Sequence, residues 1–340
     1  MRVGHATVGR FTFVCGDCSA WLLQSELGTD LCCKHGRVQL ADARDPPELL
    51  QRLLTADTTE ARKFRERTRS YNNALAMGSL HADNEFRPLS GVYEVSINGQ
   101  VYAQIGDLRA PGKLPETFAQ YYVIDNRDLG ITGRVDEAQR RAQVDLDPQI
   151  VGALHDMLCK ENDLVRRFRT AGDRMRRHPQ MYFRLALTTA NNKDRRAWNE
   201  YGPVENVNEI GVLIPDCDDT SSLQGRRPIV LEALSSERGQ LQHIPADHEL
   251  YEPLLFPLLF PHGERGWRWG IRPREGARTH GYGWHPNTNV GRTEQISMRD
   301  FIVYRMQMRS SRPYLWLARR LSQLIAVDSW LRVENYKLDW

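Results

Sequence analysis

Four of the chain's six cysteines lie between residues 15 and 33, and this cluster constrains the fold more than any other feature. Cys15 and Cys18 form a Cys-x-x-Cys pair, and Cys32 and Cys33 follow after thirteen intervening residues. Two thiolates on one tight turn, completed by a second pair from a later turn, give the tetrahedral arrangement that zinc prefers. The spacing therefore predicts a small metal-binding module over residues 1–42 rather than a disulfide scaffold.

The spacing leaves the fourth ligand of this site open. Cys32 and Cys33 are adjacent, and neighbouring side chains diverge in an extended chain, so one of them can be structural while His35 supplies a ligand. The candidate ligands are therefore Cys15, Cys18, Cys32, Cys33 and His35. The alternatives are a set of buried cysteines and a redox Cys-x-x-Cys, but the redox motif needs a βαβ context that this region lacks. A zinc ion with four protein ligands has no open position, so the expected role is structural.

Apolar periodicity predicts a fold with both helices and antiparallel strands. Helical spacing covers residues 46–80 and 147–177, and also 297–308, where Ser297 is the expected cap, and 314–337. Alternating runs on either side of Asn98-Gly99 predict a β-hairpin over 92–105. Further strands are predicted over 118–124, 181–187 and 229–234. Because helices and strands are segregated, we expect an α+β fold with a small N-terminal zinc-ribbon-like module and a mixed antiparallel-sheet and helix domain.

The predicted organisation of the chain has six parts. They are the Cys-rich module (1–42), helices plus an antiparallel hairpin (43–125), a linker-like stretch (126–147), an α+β region with a basic helix and a Pro-rich apolar strap (148–271), a Gly/Arg-rich loop (272–296) and a helical region (297–340). The sequence contains no long uncharged apolar run, so we expect no transmembrane helix and no membrane partner. The N-terminus lacks the apolar core of a secretory signal, so we do not expect secretion.

Positive charge is concentrated in two segments although the net charge is only +3. Residues 160–196 contain eleven Lys/Arg and four Asp/Glu, and residues 265–312 contain ten and three. Such segments are typical of a surface that binds phosphates, or of a solvated helix face. In the second segment aromatic side chains alternate with arginines, a pattern that suits single-stranded DNA. The candidate DNA-binding residues are Arg166, Arg167, Arg169, Arg174, Arg176, Arg177, Arg268, Arg272, Arg274, Arg278 and Trp284.

None of the catalytic motifs considered is complete in this sequence. The segment Gly106–Leu114 has the wrong spacing for a P-loop and lacks its Ser/Thr, so no ATP site is expected. No two histidines are spaced as His-x-His, which a rolling-circle nuclease needs to hold its metal. Tyr121 and Tyr122 lie in a strand-like run, where neighbours face opposite sides, so we expect one core and one surface residue rather than a pair of nucleophiles.

Several segments in collinear order resemble one known family, the N-terminal region of Helitron-like rolling-circle DNA transposases. The most specific is Tyr251-Glu-Pro-Leu-Leu-Phe-Pro-Leu-Leu-Phe-Pro-His-Gly-Glu-Arg-Gly-Trp267, which is similar to the family signature YDPLxYPLLFPxGExGW. Shorter similarities are found at 32–40, 64–76, 99–106, 118–122, 298–305 and 320–338.

The resemblance implies a zinc-binding, DNA-binding and scaffolding region of a nuclear transposase. In the family this region precedes a nuclease with a His-x-His motif and an ATP-dependent 5′–3′ DNA helicase. These domains would be the partners of this chain, together with single-stranded DNA or a transposon end. The resemblance ends before the nuclease motifs, so no catalytic residue is carried over and this chain is predicted to be non-catalytic. The alternatives are a purely structural scaffold that packs on the nuclease domain and a decayed transposon fragment without activity.

Overall fold

The computed structural model describes residues 10–29, 31–41, 44–82, 87–88, 95–96, 101–105, 116–124, 126–177, 184–187, 210–213, 242–268, 270–274, 295–309 and 314–338. These ranges contain helices and small antiparallel sheets, which confirms the α+β prediction. The chain divides into two compact units, one made of residues 1–46 and 267–340 and the other of residues 47–266. No helix in the described ranges has the length and apolar character needed to cross a membrane.

The elements are numbered in chain order over the described residues. The helices are α1 (Glu48–Thr55), α2 (Thr59–Glu66), α3 (Thr68–Leu75), α4 (Gln120–Val123), α5 (Arg127–Ala142), α6 (Pro148–Glu161), α7 (Asp163–Arg177), α8 (Tyr251–Leu255), α9 (Met298–Met306), α10 (Tyr314–Leu317) and α11 (Arg320–Leu338). The strands are β1 (Phe13–Val14), β2 (Trp21–Leu22), β3 (Ser79–Ala82), β4 (Arg87–Pro88), β5 (Val95–Ser96), β6 (Val101–Ile105), β7 (Arg184–Leu187), β8 (Ile210–Leu213) and β9 (Gln242–Pro245).

The first unit has a core made by both of its chain segments. Strands β1 and β2 form an antiparallel hairpin, and Leu22 from this hairpin is buried in one cluster with Cys33, Trp267 and Phe301. The indole Nε1 of Trp267 donates to the Ile296 carbonyl at 2.8 Å. The predicted boundary at residue 42 therefore does not delimit a self-contained module, because residues of α9 complete its core. The expected cap of α9 is confirmed, since the Ser297 hydroxyl accepts from the Asp300 amide at 3.1 Å.

The second unit begins with helices α1, α2 and α3, which confirms the helices predicted over residues 46–80 except at their end, where β3 begins at Ser79. Leu50, Leu53 and Leu54 of α1 are buried, which confirms the apolar stripe. Helix α2 is capped by the Thr58 hydroxyl, which accepts from the Ala61 amide at 3.2 Å. The same unit contains a three-stranded antiparallel sheet in the order β3-β6-β9, with the fully buried Ala103 of β6 at its centre.

The long helix predicted over residues 147–177 is two helices, α6 and α7, separated at Asn162. The Asn162 side chain is fully buried, and its Oδ1 accepts from the amides of Leu164 and Val165 at 3.0 and 3.1 Å. Asn162 therefore caps the start of α7, a position at which asparagine is preferred. Its Nδ2 donates to the Phe260 carbonyl at 3.3 Å. An apolar stripe reports buried positions and is insensitive to one such capping residue, so the sequence pattern missed the break.

The Pro-rich strap, residues 251–261, is buried along its whole length. Its start is the short helix α8, although the spacing of its prolines argues against any helix. Pro253 is tolerated because it lies in the first turn, where the amide is not needed for an intrahelical bond. The rest of the strap is irregular, and buried side chains form hydrogen bonds with some of its backbone amides and carbonyls. The side chain of Asn72 both donates to the Leu255 carbonyl at 2.8 Å and accepts from the Leu258 amide at 3.2 Å.

Three further predictions of secondary structure were wrong. The two runs of the predicted hairpin pair elsewhere, because β5 pairs with β4, and β6 lies between β3 and β9. Residues 120–123, expected in a strand, form helix α4, and the linker-like stretch 126–147 contains helix α5. Strand β7 confirms part of the run predicted over 181–187, whereas the strand predicted over 229–234 lies outside the described residues.

Candidate metal centre and basic helix

The Cys-x-x-Cys segment forms the tight turn between β1 and β2. The Cys15 amide donates to the Ala20 carbonyl at 2.8 Å, and the Ser19 amide donates to the Cys15 carbonyl at 2.9 Å. Ser19 adopts a left-handed conformation with φ of 57°, which lets the chain reverse within four residues. The turn brings Cys15 and Cys18 together, and both belong to one four-cysteine group with Cys32 and Cys33.

The second cysteine pair lies on a turn that spans residues 31–37. Lys34, His35 and Gly36 are all left-handed, with φ of 52°, 53° and 76°, and the Val38 amide closes the turn on the Cys33 carbonyl at 2.9 Å. The Gly36 amide donates to the Cys33 Sγ at 3.2 Å. A backbone donor directed at sulfur stabilises a thiolate, which is the form that binds metal.

The four sulfur atoms of Cys15, Cys18, Cys32 and Cys33 all lie within 4.8 Å of one another. The Sγ–Sγ distance is 3.8 Å both for Cys15 and Cys33 and for Cys32 and Cys33. A disulfide bond would require about 2.05 Å, so the group is four free thiols. Four such sulfurs converging on one point could hold a metal ion.

The group bears on the fourth ligand, which the spacing left open between a cysteine and His35. Cys32 and Cys33 both belong to it, whereas the exposed His35 does not. The expectation that adjacent cysteines diverge was wrong because it assumed extended backbone. On the tight turn of residues 31–37 the two Sγ atoms converge, since successive side chains there are not on opposite faces of a strand.

Hydrogen bonds within the group shift the thiol pKa values in opposite directions. The thiols of Cys32 and Cys33, and then the Arg309 guanidinium, donate to the Cys18 sulfur and lower the pKa of Cys18, although burial opposes this shift. The hydrogen bond with Cys18 and then burial raise the pKa of Cys33 to about 12, and the same two causes, with the Cys33 thiol, raise the pKa of Cys32. These opposite shifts follow from the close approach of the thiols, and a divalent cation would displace their protons.

Helix α7, which we call the basic helix, presents most of its arginines to solvent. Leu164, Val165 and Phe168 are buried on the opposite face. The side chains of Arg166, Arg169, Arg176 and Arg177 are exposed, Arg167 is half-buried, and the Arg174 side chain is outside the described set.

Two of these arginines form ion pairs within the helix. The Arg166 guanidinium pairs with Asp163, and the Arg176 guanidinium pairs with Asp173. With six arginines and two aspartates the helix has a net charge of +4. The ion pairs are exposed and therefore weak, so a phosphate could compete for the same guanidinium groups.

Three of the five residues in the second set of predicted DNA-binding residues lie in the described part of the chain. Arg268, Arg272 and Arg274 are exposed. Arg278 and Trp284 lie outside the described residues, as does most of the predicted loop 272–296. The aromatic and arginine alternation in this segment therefore stays a prediction.

A buried arginine in the second unit was not found from the sequence. Arg134 of α5 is 1 % exposed, and its guanidinium carbon lies 4.8 and 4.2 Å from the ring centroids of Tyr121 and Tyr122. Its Nη1 donates to the Ala74 carbonyl. The Tyr122 ring also stacks on His155 at 5.3 Å between centroids.

These contacts correct the expectation that only one of the two tyrosines is buried. Tyr121 and Tyr122 are 4 % and 2 % exposed, because they lie on helix α4 and enclose a cation. Burial raises the pKa of Tyr122 to about 12 and lowers the pKa of Arg134. No local pattern marks such a site, since Arg134 looks like any other polar residue of a helix.

No protein-family model matches this chain, and no curated protein matches it.

Proposed function

We propose that the chain is a non-catalytic DNA-docking region of a Helitron-like transposase that acts in the nucleus and contains a structural zinc ion. The observation that carries the DNA-docking part is the exposed arginine face of the basic helix. Its apolar residues Leu164, Val165 and Phe168 are buried, so the helix backbone is anchored and most of its arginines face solvent. A guanidinium group can bind a phosphate through two parallel hydrogen bonds.

The four-cysteine group supports zinc as the metal. For zinc–sulfur bonds of about 2.3 Å, a regular tetrahedron has sulfur atoms about 3.8 Å apart. The Sγ of Cys33 lies 3.8 Å from the Sγ atoms of both Cys15 and Cys32. All-sulfur ligation selects zinc over magnesium or calcium, which prefer oxygen. Four protein ligands leave no position for water or substrate, so the ion would stabilise the fold of the first unit.

DNA binding is tested by fluorescence anisotropy with labelled single-stranded and duplex DNA over a range of salt concentrations. We expect the affinity of the full chain to fall steeply with salt, because phosphate contacts release counterions. The charge reversals Arg169→Glu and Arg177→Glu together should weaken binding to all sequences and reduce the salt slope by about 2.

The matched control for this experiment reverses two exposed arginines of α1 and α2. The Arg52 and Arg62 side chains are 57 % and 59 % exposed, so Arg52→Glu with Arg62→Glu changes the net charge by the same amount. Equal losses in both double variants would show only non-specific attraction. A full chain without salt-dependent affinity would contradict DNA docking and favour the scaffold function.

A further inference from the structure

Arg309 lies beside the four-cysteine group, although 291 positions separate it from Cys18. Its Nε donates to the Cys18 carbonyl at 3.0 Å, and its Nη2 donates to the Cys18 Sγ at 3.4 Å. Its Nη1 donates to the carbonyls of Tyr304 and Gln307. The guanidinium carbon also lies 3.8 Å from the centroid of the Tyr304 ring. Each of its three nitrogens is therefore used, which fixes the side chain in one position.

The backbone around Arg309 is joined to the same hairpin. Ala20 and Arg309 form an isolated antiparallel bridge, and the Trp21 amide donates to the Met308 carbonyl at 2.8 Å. The Gln307 side chain donates to the Trp21 carbonyl at 3.3 Å. Residues 307–309 thus extend the hairpin on the side that follows Cys18. The Cys-x-x-Cys turn and the segment after α9 are held as one structure.

The charge of a loaded site explains why a cation belongs here. Four thiolates around a divalent ion have a net charge of −2, and a buried net charge is unfavourable without a partner. Arg309 is 5 % exposed, so its positive charge acts on the sulfur with little screening by water. Its hydrogen bond to the Cys18 Sγ also stabilises the thiolate over the thiol.

We propose that Arg309 is a positioning residue of the metal centre, which fixes the Cys18 thiolate and offsets part of the charge of the four thiolates. This inference rests on the zinc site proposed above. Because Arg309 bonds both the carbonyl and the sulfur of Cys18, metal binding and the docking of residues 307–309 are coupled. The coupling is reciprocal: metal stabilises the docked segment, and the docked segment raises the affinity for metal.

The experiment compares four full-length proteins: wild type, Arg309→Met, Arg309→Lys and Arg305→Met. Zinc affinity is measured by competition with a chromogenic chelator, and circular dichroism establishes that each protein is folded. Arg305 is the matched control, because it is a second buried arginine of the same region, and its guanidinium carbon lies 5.3 Å from the Phe301 ring centroid. The lysine variant keeps the charge but cannot donate from three nitrogens at fixed angles.

We expect Arg309→Met to weaken zinc affinity by about 10–100-fold, which is typical for a residue that hydrogen-bonds a ligand. Arg309→Lys should recover part of this loss, and Arg305→Met should stay within about threefold of wild type. With cobalt as the probe, the sulfur-to-cobalt charge-transfer band of Arg309→Met should move to lower energy, because a thiolate that has lost a hydrogen bond is a better electron donor. A purely structural role of Arg309 would not move that band.

The possible failures can be told apart. A wild-type protein that binds no zinc overturns the zinc site and this inference together. Wild type that binds zinc, with Arg309→Met within about threefold of it, overturns the role of Arg309 alone. An equal loss in Arg305→Met also overturns it, since the effect would then follow from any buried arginine. If Arg309→Met does not fold, Arg309→Gln, which removes the charge but keeps a side-chain donor, takes its place, and a zinc affinity within about threefold of wild type with an unchanged charge-transfer band overturns the role of Arg309.

Discussion

The backbone carbonyl of Val123 lies so close to Gly172 that a Cβ atom on Gly172 would be 2.4 Å from the carbonyl oxygen. This approach joins α4 to the basic helix, and it places most of the arginines on the opposite face of that helix. The Arg176 side chain extends the same contact, because its Nη1 donates to the Val123 carbonyl at 3.3 Å.

We therefore expect Gly172→Ala to destabilise the protein by about 1–3 kcal/mol, because the contact is with backbone that cannot rotate away. This cost opposes the roughly 1 kcal/mol that alanine normally gains over glycine in a helix. Urea denaturation measures the net effect. Gly152→Ala is the control: its nearest neighbours are the ends of the Arg127 and Ile131 side chains, which can move. A stabilised Gly172→Ala protein would contradict the close approach.

Replacing Asn72 by alanine should cost about 2–3 kcal/mol of unfolding free energy. The change removes both hydrogen bonds to the Pro-rich strap and leaves a buried carbonyl and a buried amide without that partner. Asn126→Ala removes an exposed cap whose Oδ1 accepts from the Leu129 amide at 3.1 Å, and it should cost about 1 kcal/mol. Equal losses for the two variants, measured by denaturant titration, would argue against a special role of Asn72.

Stability should fall between pH 6.5 and pH 4 because of His155. Burial, and then the charge of Arg134, lower the pKa of His155 from 6.5 to about 4. The folded state thus binds fewer protons than the unfolded state in this window, so the unfolding free energy decreases as the pH falls. The contribution is about 3 kcal/mol by pH 4. His155→Gln should remove this part of the pH dependence, and parallel pH dependences of wild type and variant would contradict the assignment.

Substitutions in the four-cysteine group and at the exposed His35 should have different effects on zinc content. We expect Cys33→Ser to lower the zinc content of the purified protein well below one ion per chain. The same substitution should lower the thermal stability of the first unit. His35→Ala should retain full zinc content, since His35 lies outside the group. Mass spectrometry of the metal under native conditions measures both. Loss of zinc in His35→Ala with retention in Cys33→Ser would reverse the ligand assignment.

Local sequence patterns predicted the features that depend on near neighbours. The Cys-x-x-Cys spacing identified the turn, the leucine stripe identified α1, and Ser297 identified the start of α9. Each of these signals acts within a few residues, so tertiary context does not alter it. The separation of α6 from α7 was missed because the Asn162 side chain bonds the strap as well as the helix start.

Features that depend on residues distant in the chain could not be predicted from local sequence patterns. Asn98-Gly99 favours a hairpin, but β6 pairs instead with β3 and with β9 from residues 242–245. The longer antiparallel ladder on both sides of β6 outweighs one favourable turn. Arg309 and Arg134 were missed for the same reason. Each is recognisable only after the fold brings it to Cys18 or to Tyr122.

The division of the first unit between residues 1–46 and 267–340 has a consequence for synthesis on the ribosome. The cysteine turns emerge early, but Arg309 and the apolar residues of α9 are translated more than two hundred residues later. At the usual elongation speed this delay lasts tens of seconds. During that interval the nascent thiols are open to metals, oxidants and chaperones, while the intervening residues 47–266 can already fold.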